Sequence, residues 1–322
     1  MTVEEVSFHS RGLALAGTLK LPARPRPVPA VVQGPGWLGL RGAKLYEPYH
    51  QALLAAGIAV LVFDYRGFGG SAGDASYLDP MAQVEDWRAA NSFLETRPEI
   101  DSQRIGAFGS GGTGGGNAVC VAALDSRVKA VVSQVPIADG REWLRRMRRE
   151  HEWLDFLQQV EDDRRQRAAT GESRLVSVRE EIMVPTPERR TTTVKADVDG
   201  RVPTDVQLAS AEAIMAYRPL DLVDRIAPRA LMLICVEKDA TTPEDHAAAL
   251  YERAGSPKRL VIQTGTTHYA AYADYRDLVS PLIVEWFQRY LDVGEVIVRE
   301  DDASAVTLRL SRPASSETSA IA

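Results

Sequence analysis

Six short apolar runs punctuate this chain: "AVVQ" (30–33), "IAVLVFD" (58–64), "RIGAF" (104–108), "RVKAVVSQVP" (127–136), "RALMLICVEKD" (229–239) and "KRLVIQT" (258–264). Each is long enough for a strand buried on both faces and too short for a membrane span. Helical periodicity lies between most of them. "KLYEPYHQALLAAG" closes on Gly57, "PMAQVEDWRAANSFLETRP" opens with Pro80, and "PEDHAAALYERAG" and "RDLVSPLIVEWFQRYL" follow the last two runs. Strands alternating with helices specify an α/β fold with a mostly parallel sheet. Ahead of them, "VSFHSRGLALAGTLKLP" alternates apolar and polar around Arg11-Gly12, the pattern of a β-hairpin.

The alternation breaks between about Ile137 and Tyr217. "REWLRRMRREHEWLDFLQQVEDDRRQRAA" reads as a charged amphipathic helix or helix pair, and "VREEIMVPTPERRTTTVKADVDGRVP" is irregular. "DVQLASAEAIMAYRP" reads as helical again. The division is therefore a core of 1–136 and 219–293, an inserted helical cap of 137–218, and a C-terminal extension of 294–322. That extension carries one β-like run, "AVTLRLS", before a Ser/Thr/Ala-rich end expected to be partly disordered.

The 322 residues are 45% hydrophobic and 25% charged, enough for a sizeable core. A net charge of −6 gives no electrostatic case for nucleic acid. The start, MTVEEVSFHS, lacks the basic and apolar regions of a signal peptide. Cys120 and Cys235 sit inside apolar runs, as buried thiols do in a reducing compartment. These observations lead to an expectation of a cytoplasmic protein with a small-molecule substrate and no membrane or nucleic-acid partner; a homodimer stays open. No His/Cys/Asp/Glu cluster has metal-ligand spacing, the Gly-rich "GSGGTGGG" lacks a P-loop lysine, and no cofactor is expected.

"RIGAFGSGGTGGGNA" (104–118) has the layout of a strand, a tight turn and a small-residue helix starting near Asn117. Together with "VFDYRGFGGSAGD", "CVEKDATTP" and "TGTTHYAAY", it resembles the α/β-hydrolase superfamily over roughly residues 3–292. The nearest flavour is that of dienelactone-hydrolase-like and CocE/X-Pro-peptidase-like acyl hydrolases. The resemblance implies the α/β-hydrolase fold, with His268 as the catalytic base and Asp239 orienting it. It also implies an oxyanion hole from backbone N–H groups of Gly36 or Trp37 and of Gly112. Asp64 and Arg66 are expected to tie down their loop. The cap residues Ile214, Met215 and Tyr217 either line the pocket or pack on the core.

The chain departs from the family at the position where the elbow normally holds its nucleophile, which is Gly111. Three routes stay open. Thr113 completes a literal G-x-T-x-G, Ser110 lies one residue before the tip, and in the third route no side chain attacks and His268 activates water. The first expectation is hydrolysis of an ester, a lactone or an activated C–C bond of a small carbonyl compound. The alternatives are a lyase, decarboxylase or cofactor-free oxygenase using His268 as base, or a degenerate binding protein.

Overall fold

The computed structural model describes residues 1–291 and 306–310. The hairpin forms from β1 (Thr2–Ser10) and β2 (Leu13–Leu21), turning on Arg11 and Gly12. Then follow β3 (Val28–Gly34), α1 (Glu47–Ala55), β4 (Ala59–Phe63) and α2 (Pro80–Glu95). The Asp79 side chain caps α2 by accepting from Met81 and Ala82 N–H. Next come β5 (Ile100–Ser110), α3 (Gly112–Leu124) and β6 (Val128–Gln134).

The insertion carries α4 (Gly140–Arg146), α5 (Glu150–Thr170), β7 (Leu175–Ser177), α6 (Pro187–Thr191), α7 (Ala196–Asp199), β8 (Asp205–Gln207) and α8 (Ala209–Ala216). The core resumes with β9 (Ala230–Val236), α9 (Glu244–Arg253), β10 (Lys258–Gln263), α10 (Ala271–Asp274) and α11 (Arg276–Leu291). It ends with β11 (Val306–Leu310).

Nine strands form one sheet among the described residues, in the order β1-β2-β4-β3-β5-β6-β9-β10-β11. The pairs β1/β2 and β2/β4 are antiparallel and all others parallel. Side chains alternate between two cores. Val31, Val60, Phe108 and Val132 pack with Tyr49 of α1 and Phe287 of α11. Val32, Leu61, Ala107 and Val131 pack with Trp87 of α2 and Val119 of α3. The sheet is thus covered on both faces, as the continuous apolar runs require.

Two expectations change. Helix α3 begins at Gly112 rather than near Asn117. Glycine is a poor helix former, but here it is packing that decides. A Cβ on Gly114 would come within 2.7 Å of Pro35 O, one on Gly115 within 2.7 Å of Gln134 O, and one on Gly116 within 2.5 Å of Tyr217 Oη. Only bare backbone lets the helix press this closely on β3, β6 and the insertion. Second, "DVQ" is strand β8, paired with β7, and the helix starts only at Ala209. The run "AVTLRLS" does supply a strand, β11, beside β10. The rest of the expected C-terminal disorder lies outside the described residues.

Candidate active site

Strand order sets where a site can stand. The connection leaving β3 runs to β4 on one side and the connection leaving β5 runs to β6 on the other, and ligands of open α/β sheets sit at such a switch, beyond the strands' carboxyl ends. Gly34 pairs with Gly109, so the loop after β3 and the elbow after β5 leave the sheet side by side. The loops after β9 and β10 bring Asp239 and His268 to the same edge.

Asp239 and His268 are both buried, at 6% and 5% exposure. One carboxylate oxygen, Oδ1, accepts from the Thr241 and Thr242 N–H groups at 2.7 and 2.9 Å. The other, Oδ2, lies 2.7 Å from His268 Nδ1. A carboxylate can only accept, so Nδ1 is the donor of this pair, and Nε2 is the acceptor atom of the neutral ring. Asp239 therefore closes a tight turn and orients the imidazole with separate oxygens. Thr242 places this loop against the elbow, with Oγ1 3.6 Å from the Cβ position of Gly112.

Gly111 has φ 80° and ψ 124°, a backbone conformation that L side chains rarely adopt. The tip is nevertheless open. A Cβ built there meets nothing nearer than Gly36 Cα and N at 3.7 Å and Tyr272 Oη at 3.8 Å. The two neighbouring hydroxyls turn elsewhere. Ser110 is fully buried, with Oγ 2.9 Å from Gln134 Oε1 and 3.1 Å from Tyr272 Oη. Thr113 Oγ1 accepts the Trp37 N–H at 2.9 Å. Among the described residues, no hydrogen bond joins Ser110 or Thr113 to His268.

The Thr113 contact changes the expected oxyanion hole. Because α3 starts at Gly112, Thr113 lies in its first turn beneath the β3 loop and takes the N–H that Trp37 was expected to offer. Gly112 opens α3, and the leading N–H groups of a helix have no intrahelical acceptor. Gly36 N lies beside the elbow tip.

Two of the three expected pocket residues at the end of α8, Ile214 and Tyr217, go to the interior. Ile214 and Tyr217 have no exposed surface. Tyr217 donates to Asn117 Oδ1 at 2.8 Å and sets its ring edge-on to Trp37. Met215 is half-buried, 3.6 Å from Arg141. These residues fasten the insertion to α3 and α4. Asp64 and Arg66 do tie their loop: Asp64 Oδ1 accepts from Arg41 N at 2.8 Å, and Arg66 forks onto buried Asp86.

Residues that the sequence reading passed over complete the surroundings. Glu188 of α6 accepts from Thr267 Oγ1 and from Tyr269 N–H, the residues either side of His268. Trp143 of α4 donates to Thr241 O at 2.9 Å, beside Asp239, and packs edge-on to Trp37. A cleft of about 150 Å³ lies between Trp143, Met147, Val184, Pro185 and Thr241. A larger cavity, about 300 Å³, lies at the opposite end of the strands, by Pro27, Ile58 and Phe287, away from the dyad. Tyr272 is in reach of the tip, and burial raises its phenol well above the ordinary value. Its signal was the spacing in "HYAAY", four residues after His268.

The family described as X-Pro dipeptidyl-peptidase (S15 family) matches residues 11–269. The chain belongs to this family. It is 29% identical over 292 residues to an Escherichia coli protein, the "Uncharacterized 31.7 kDa protein in traX-finO intergenic region", covering 89% of this chain and all of the other. A protein of Eupenicillium brefeldianum named thiohydrolase is 26% identical over 292 residues, 86% of this chain and 91% of its own. In fold, the chain is similar to the crystal structure of the alpha/beta hydrolase GrgF from Penicillium sp. sh18. The TM-score is 0.77 at 21% identity, over 90% of this chain and 99% of that one. The fold is that of the α/β hydrolases, and the enzyme class is hydrolase. Among the described residues, no helix is long and apolar enough to cross a membrane.

Proposed function

We propose that this hydrolase cleaves a small activated carbonyl compound, an ester, thioester or lactone, by direct attack of water rather than through an acyl-enzyme. One observation carries the reading: a buried His268–Asp239 pair stands at the same sheet edge as an elbow tip that has room but no side chain. His268 Nε2 takes a proton from water as its oxygen bonds to the carbonyl carbon. The oxyanion that forms is received by the N–H groups of Gly112 and Gly36, dipoles fixed before reaction. Collapse breaks the bond to the leaving oxygen or sulfur, which takes the proton back from His268. The thioester option draws support from the relative named thiohydrolase. The segment 137–218 acts as the cap of this site, through Trp143 and Glu188.

The test is intact and tryptic mass spectrometry after fluorophosphonate treatment, alongside a panel of p-nitrophenyl esters, acyl thioesters and lactones. The expected result is hydrolysis that depends on His268 with no covalent adduct. A His268-dependent adduct on Ser110 or Thr113 would replace the water route with a shifted nucleophile.

A further inference from the structure

A reactive water needs two to four polar partners to stand in one place, and His268 Nε2 is only one. The side-chain atom nearest the Cβ position of Gly111 is Tyr272 Oη, 3.8 Å away. Tyr272 follows His268 by four residues, their ring centroids are 6.2 Å apart, and its exposure is 4%. Resting on the water route above, we propose that the Tyr272 hydroxyl is the second anchor of the attacking water.

The hydrogen bonds fix how it would do so. Ser110 has one hydroxyl proton, and Gln134 Oε1, which cannot donate, takes it at 2.9 Å. With that proton directed at Gln134, the 3.1 Å contact between Ser110 Oγ and Tyr272 Oη is assigned in this proposal to the phenol as donor, which leaves Tyr272 a lone pair for the tip. A water standing where a serine hydroxyl would stand gives one hydrogen to His268 Nε2 and the other to Tyr272 Oη. One of its two lone pairs faces the substrate carbonyl. Ser110 thereby serves as the residue that orients Tyr272. Burial keeps the phenol protonated, as this chain of donors requires. The water's two hydrogens are thus held in a fixed plane, which is the geometric part of activating it.

Atomic-resolution crystal structures of the wild-type protein and Tyr272→Phe give a direct test, read with kinetics on the best ester of the panel. The wild-type crystal is expected to hold a water bonded to both His268 Nε2 and Tyr272 Oη, and Tyr272→Phe to lose or displace it. kcat should fall about tenfold or more, with KM within about twofold and an unchanged melting temperature, a split that a merely structural role does not give. A wild-type water that ignores Tyr272, or the same water and the same kcat in both proteins, would overturn the assignment. An adduct on Ser110 in the mass experiment would instead remove the water route itself, and is read without either crystal.

Discussion

On one side of the site, both carboxylate oxygens of Asp239 are engaged, one of them by His268 Nδ1. On the other side, the elbow offers Gly111 at its tip, while Ser110 and Thr113 bond to Gln134, Tyr272 and Trp37. Both sides sit on the same sheet edge and are equally buried. The difference shows that the parts for moving a proton and the parts for forming a covalent bond are separable. On the reading proposed above, the first set is complete here and the second is replaced by space.

Removing the base gives the largest expected effect. His268→Ala should lower hydrolysis by about 10²–10⁴-fold while thermal melting stays near wild type, and rates on the ester panel beside a melt will show it. A variant with near-normal rates would mean that the complete side is not the working one. Asp239→Asn should follow closely, by about 10²-fold or more, because an amide can present a donor to Nδ1 and favour the wrong tautomer. It also loosens the Thr241–Thr242 turn, so its melt should fall as well.

Gly111→Ser tests the open side. The Cβ has room, so the variant should fold and gain a fluorophosphonate adduct that the wild type lacks. The conformation at φ 80° should cost about 1–3 kcal/mol of stability, measurable by denaturant titration. Thr113→Val should leave the Trp37 N–H buried and unpaired, costing about 1–3 kcal/mol. An adduct that vanished with Thr113 would contradict that purely structural assignment.

The smallest expected effect concerns two other buried histidines, His50 and His246. Burial, the largest cause, lowers the pKa of both His50 and His246. Their folded values lie below the unfolded one, so the unfolded chain binds more protons once pH drops. Their stabilisation is complete above the unfolded value, about 6.5, and is lost as pH falls from there through the folded values. Melting temperature should decline across that window, and His50→Gln should flatten the decline. A slope that survives intact would assign it to other groups.

The core was readable because buried parallel strands must be continuously apolar, so "AVVQ", "IAVLVFD" and "RALMLICV" announced β3, β4 and β9. Asp239 and His268 were singled out through the family resemblance, in which the acid and histidine loops follow such runs. The elbow was harder. Three glycines argue against a helix, and only the closeness of Pro35, Gln134 and Tyr217 reverses that argument. The misplaced start of α3 hid the Thr113–Trp37 bond, which depends on it. Tyr217 and Ile214 were recognisably buried, but a periodic pattern does not say against what. The three-residue strands β7 and β8 are too short to repeat the two-residue period that reveals a strand.

The grip of Glu188 has a mechanical consequence. The carboxylate that fastens α6 to the core holds Thr267 and Tyr269, and so the two ends of the peptide that carries the imidazole. Any swing of α6 wide enough to break that grip also slackens the histidine loop. On the reading proposed above, the position of the cap and the aim of the base would be coupled through this single carboxylate.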